Sequence, residues 1–148
     1  MSTTPPPSPL QFPLRLSCYA ITLLALDVWR ESRGQSSAWP GVLWCVLNRA
    51  RHPQWWGNDV ISVITHKWQF SSMTAPGDPN TVQWPAASDP QFLAIVDLIA
   101  KWEVGTVPDP TNGATYYYSR PLTAPPAAWG DVQETAVING IHFCRPTC

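Results

Sequence analysis

Apolar residues crowd the stretch at residues 14–33, "LRLSCYAITLLALDVWRESR", on nearly every helical face until charges gather at its end. A helix that is apolar all round belongs inside a domain rather than on its surface. Gly34 follows at once and predicts the stop, because glycine takes the left-handed C′ conformation without a Cβ penalty. Ser36 or Ser37 then caps a second helix, with Pro40 in its first turn. Val42, Leu43, Val46 and Leu47 give that helix one apolar face, and Pro53 bounds it. A short helix over 59–66 places Val60, Val63 and Ile64 together. Residues 69–88, "QFSSMTAPGDPNTVQWPAAS", read as a long loop, and such loops are usually functional or mobile. Asp89 and Pro90 are N-cap and first residue of another helix, "FLAIVDLIAKWEV", which Gly105 ends.

The last third changes period. "PDPTNGATYYYSR" is a turn leading into a β-prone aromatic run, with Tyr116 and Tyr118 on one face and Tyr117 on the other. One of those faces packs on the core, and the other is free to meet a ligand. "ETAVINGIHFCR" is a hairpin around a type I′ Asn139-Gly140 turn. The expected register pairs Ile138 with Ile141, Ala136 with Phe143 and Glu134 with Arg145, and on the other face Val137 with His142 and Thr135 with Cys144. The fold class is therefore α+β: mainly helical, with a small antiparallel β-sheet near the C-terminus. No internal repeat is present.

At 148 residues the chain suits one domain, which buries about 70% of its unfolded surface. With 13% charged and 45% hydrophobic residues it reads as globular rather than disordered. A net charge of -1 argues against a nucleic-acid surface. Residues 1–13, "MSTTPPPSPLQFP", form a proline-rich tail ahead of a single domain over 14–148; they lack the basic and apolar regions of a signal peptide. Ser17, Thr22 and Asp27 interrupt the apolar run, so a buried helix is expected and not a membrane span. Nine Trp residues either fill the core or supply platforms for flat-faced ligands such as sugar rings. Cys18 and Cys45 are expected as buried small hydrophobes, while Cys144 and Cys148 flank Pro146 and are close enough to pair.

Glu31 is the leading candidate for chemistry. It sits where the negative end of the helix dipole disfavours a carboxylate, with Asp27 one turn earlier on the same face. Arg30 and Arg33 project about 100° and 200° away around the helix and so miss it. A carboxyl that keeps its proton near neutral pH serves as a general acid on glycosides. The competing reading is a surface glutamate paired with one of those arginines. A second carboxylate would come from Asp27, Asp59, Asp109, Asp131 or Glu134, and no spacing singles one out. That leaves room for a mechanism in which the substrate supplies the nucleophile. His52, His66 and His142 show no metal-ligand spacing, so neither metal nor cofactor is expected. A Cys18–His142 nucleophile pair is disfavoured, because an apolar helix does not lower a thiol pKa.

In chain order, "RESRGQ", "VLWCVLNRARHP", "WQFSS", "VPDPTNGATYYYS" and "INGIHF" resemble the motifs of the spore-cortex-lytic (SleB-like) cell-wall hydrolases. The resemblance spans residues 17–145. It implies a lysozyme-like fold and a lytic transglycosylase that cleaves peptidoglycan glycan strands. Glu31 falls on the catalytic carboxyl, and Gln69, Phe70, Ser71, Thr115, Tyr116 and Tyr117 would line the cleft. Glu31 would protonate the oxygen that follows N-acetylmuramic acid, then act as base on that sugar's 6-hydroxyl to close a 1,6-anhydro ring. "Glu31-Ser32" is also similar to the Glu-Ser pair of goose-type lysozymes. Gln35 stands where the family has a second Glu. Tyr116 stands where it has a His, and a phenol of pKa about 10 is no base at neutral pH. The closing segment is one residue short between His142 and Phe143. A phage endolysin is expected: a monomer made in the host cytoplasm that binds glycan strands, with no nucleic acid and no stable membrane insertion, and acts on the wall after release. Alternatives are a hydrolytic muramidase, a non-catalytic glycan-binding module and a cysteine peptidase or amidase.

Overall fold

A computed structural model describes residues 16–67 and 69–147. The proline-rich tail and Cys148 lie outside the described residues. Helix α1 (Cys18–Ser32) is buried over most of its length, with Leu24, Ala25 and Val28 fully covered. Its start is set by Ser17, whose Oγ accepts from the Ala20 amide at 3.1 Å. Its end is set by Gly34, at φ +79°. Cys18 therefore sits in the first turn and is exposed, not buried as expected. Cys45 and Cys144 are buried, and none of these three is in a disulfide.

No serine caps the second helix. Residues 36–38 make a 3-10 turn that leads directly into α2 (Trp39–Arg51). Trp39 Nε1 donates to the Ser32 carbonyl at 2.9 Å and so ties α2 to the end of α1. Gly41 faces the sheet, where a Cβ would lie 2.6 Å from the Phe143 ring; only glycine lets α2 come this close. Helix α3 (Val60–Thr65) begins with a reciprocal capping box between Asp59 and Ser62. In α5 (Pro90–Glu103), Asp89 Oδ1 accepts from the amides of Gln91 and Phe92, and Ile95, Ile99 and Trp102 are buried, with α1 the main helical neighbour.

The expected long loop is instead structured. It holds the one-turn helix α4 (Ser71–Thr74) and a 3-10 turn over Pro79–Val82. The reason is Arg30, a buried guanidinium that donates to the carbonyls of Ser72 at 3.0 Å, Gln83 at 3.0 Å and Thr81 at 3.2 Å. Arg33 adds bonds to the side chains of Gln83 and Asn80. The two arginines at the end of α1, Arg30 inside it and Arg33 just past it, thus peg the 71–84 segment against the core.

Three strands, β1 (Tyr116–Tyr118), β2 (Val132–Ile138) and β3 (Ile141–Pro146), form an antiparallel sheet with β3 in the centre. Asn139 and Gly140 take positive φ, as the hairpin turn requires. The expected pairs hold as far as Ala136 and Phe143. A bulge between Glu134 and Ala136 then shifts the register by one residue. Glu134 lies opposite Cys144, not Arg145, and Gln133 takes the place opposite Arg145. The extra residue also brings Glu134 onto the face of His142, whose Nδ1 it meets at 2.5 Å. Among the described residues no helix is long and apolar enough to cross a membrane.

Candidate active site

The last turn of α1 brings Glu31 to a cleft of about 1020 Å³. Ser72 Oγ donates to Glu31 Oε1 at 2.7 Å. Burial raises the Glu31 pKa above its ordinary value; the Ser72 hydrogen bond is the largest opposing influence. The Tyr117 hydroxyl approaches the same carboxyl but stands outside hydrogen-bond geometry. The charge of Asp78 raises Glu31 further, and Arg49 pulls the other way. Arg30 and Arg33 are engaged with the 71–84 segment, so neither forms an ion pair with Glu31.

Asp27 is fully buried, and neither of its carboxyl oxygens has a hydrogen-bond partner. Burial first, and Glu31 second, hold its pKa well above the usual carboxylate range. Burial thus favours the protonated form of Asp27. Asp27 and Glu31 oppose each other's ionisation, as the helix spacing predicts, and Asp78 adds a further like charge beside Glu31.

Gln69, Phe70, Ser71, Tyr116 and Tyr117 line the cleft together with Glu31. Thr115 does not. Its side chain is buried, and its carbonyl accepts from Arg49 Nε at 2.6 Å. Tyr116 stacks on Trp129 at 4.7 Å, whereas Tyr117 packs toward Phe70 and Phe143. Tyr116 and Tyr117, on opposite faces of the strand, thus both reach the cleft. Burial, and then the charges of Glu31 and Asp27, push the Tyr117 phenol well above its ordinary pKa.

Sequence reasoning missed Arg49. Its guanidinium is buried beside the cleft, bonds Gln69 Oε1 at 3.1 Å, and lies 5.1–5.3 Å from the rings of Phe70, Tyr116 and Trp56. The available signal was a cation on the apolar stripe of α2, one turn after Cys45 and Val46. Arg49 fixes Gln69 and the entry to β1 together. Asn48 and Asp109 shape the preceding loop. Asp109 accepts from Asn48 Nδ2, the Thr111 amide and hydroxyl, and the Gly113 amide.

Those bonds sort the five candidate second carboxylates. Asp27 is sealed in, Asp59 caps α3, Asp109 organises its loop, and Glu134 holds His142. Of the five, Asp131 lines the cleft. The buried Cys45 thiol is pushed up by burial, the reverse of what a nucleophile needs. Among the described residues, no group of His, Cys, Asp and Glu is arranged to hold a metal ion.

The chain thus has a helical body around one buried helix, with a three-stranded sheet beside a carboxyl-bearing cleft. The chain belongs to the cell wall hydrolase family, whose sequence profile matches residues 35–144. Glu31 stands four residues before that match begins. The structure resembles the catalytic domain of the germination-specific lytic transglycosylase SleB from Bacillus anthracis, with 25% identity and a TM-score of 0.63, covering 88% of this chain and 97% of that one. The catalytic domain of the Bacillus cereus SleB protein is similar at 26% identity and the same TM-score, covering 88% and 93%. No curated protein matches the chain in sequence.

Proposed function

We propose that this enzyme is a peptidoglycan lytic transglycosylase in which Glu31 serves as both acid and base. The observation that carries the reading is the Glu31 carboxyl itself. It is partly desolvated, free of any guanidinium partner, held by Ser72, and open to a cleft of glycan-binding size. In the first step Glu31 gives its proton to the oxygen bridging N-acetylmuramic acid to the next sugar, and the C1–O bond breaks. In the second, the Glu31 carboxylate takes the proton of the muramyl 6-hydroxyl as that oxygen attacks C1. A 1,6-anhydro ring closes, Glu31 is again protonated, and no water is consumed. Ser72 steadies the carboxylate between the two steps, because its hydroxyl bonds the charged form most strongly.

Replacing Glu31 by Gln removes the proton while keeping the shape. Clearing of purified cell wall should slow by about 10²–10⁴-fold, the usual worth of a general acid or base. Mass spectrometry of the wild-type digest should show anhydro-muramyl ends. Undiminished clearing by the Gln variant would refute the assignment of Glu31.

A hydrolytic muramidase is the second reading, and Asp131 on the cleft wall favours it. It predicts reducing ends and a large loss of rate in Asp131→Asn. The phage endolysin role belongs to the same proposal. Cells expressing the chain should lyse only once their inner membrane is permeabilised, and lysis without permeabilisation would count against it.

A further inference from the structure

The chain leaves α2 through a turn at residues 54–57 that is fastened from three sides. The Gly57 amide donates to the Gln54 carbonyl at 3.2 Å, closing an isolated bridge. Trp56 is fully buried, and its Nε1 donates to the Arg49 carbonyl at 2.9 Å. Gly57 has φ +110°, and a Cβ there would lie 2.4 Å from Ser62 Oγ, so the turn cannot relax against α3.

Locking Trp56 inward leaves its neighbour outside. Trp55 stays 53% exposed, and it lines the same cleft as Glu31, with Gln54 beside it. Among the described residues, its ring neighbours are Trp56 and His66, each 5.4 Å away at steep interplanar angles of 62° and 79°. Neither is stacked parallel on the indole. Behind it the buried Trp56 meets Tyr116 at 5.9 Å, and Tyr116 stacks at 4.7 Å on Trp129, which lines the cleft with it. The ring neighbours of Trp55 on this side of the cleft are distinct from Ser72, whose hydroxyl holds Glu31.

We propose that Trp55 is a sugar platform for the glycan strand, taking the apolar C–H face of an N-acetylhexosamine away from the scissile bond, with the Gln54 amide bonding that sugar's polar groups. The inference rests on the glycan-cleaving reading above. A large, rigid indole offers a flat apolar face at little entropic cost, and the turn presents it already ordered. Binding made far from the reacting atoms holds substrate and transition state alike, so its loss raises KM and spares kcat.

The test uses the full chain with Trp55→Ala and Trp55→Phe, on peptide-free glycan strands of three disaccharides. Trp55→Ala should raise KM about five- to tenfold, with kcat and the thermal midpoint little changed, and Phe should recover most of the loss. Calorimetric titration of the same strands into Glu31→Gln, with and without Trp55→Ala, should show the same loss of affinity. Unchanged KM and Kd would overturn the proposal. So would a fall in kcat and thermal midpoint at constant KM, which would make Trp55 a packing residue. Failure of the parent reading has another signature: Glu31→Gln would still clear wall, whatever the binding data show.

Discussion

Arg30 gives the most demanding test of how this fold builds its site. Arg30→Ala removes three hydrogen bonds from a charged donor to the backbone carbonyls of Ser72, Thr81 and Gln83, together with the stacking of the guanidinium on Trp84. Charged hydrogen bonds contribute about 1.5–3 kcal/mol each. Water can reach two of the three freed carbonyls, which are only partly buried. The net loss is therefore about 3–5 kcal/mol, out of a total stability of about 5–15 kcal/mol. Urea unfolding reads it directly, and Arg30→Lys should recover less than half, since an ammonium cannot span three carbonyls. A functional loss follows, because Arg30 holds the Ser72 carbonyl while the Ser72 hydroxyl holds Glu31. Under conditions where Arg30→Ala remains folded, wall clearing should still fall by about tenfold, as expected when a catalytic group loses its orientation. A variant within about 1 kcal/mol of wild type, clearing wall at the normal rate, would refute the peg and the relay together.

Two further outcomes follow from the carboxyls. Ser72 opposes the rise in the Glu31 pKa, so Ser72→Ala should move the alkaline limb of the activity profile to higher pH while lowering the maximum rate; an unmoved limb would remove Ser72 from the site. Asp27 has a folded pKa raised above its unfolded value of 3.8, so its stabilising contribution is complete below about pH 4 and is lost as pH climbs toward the folded pKa. Asp27→Asn escapes that loss, and its urea midpoint should gain on wild type as pH rises from about 4 toward the folded pKa; a difference that stays constant as pH rises above about 4 would show that the Asp27 pKa is not raised.

What could be read from the sequence was whatever a few neighbouring residues decide among themselves. Asp89 and Pro90 open α5, Gly34 and Gly105 close helices, and Asn139-Gly140 turns the hairpin, because caps and turns close over three or four residues. The order of helices before sheet, and Glu31 in the last turn of a buried helix, follow from the same local patterns. Arg30 and Arg49 were opaque for the opposite reason: their partners lie 42–66 residues away, apart from Gln69 at 20. A cation on an apolar helix looks misplaced until the carbonyls that receive it are folded around it. The bulge at Thr135 likewise depends on how β2 meets β3, and one inserted residue moved Glu134 to the other face. Local chemistry determined which elements form and which carboxyl stands at a helix end; long-range packing alone decided that this carboxyl faces a cleft, which polar groups hold it, and which aromatic rings wall the path to it.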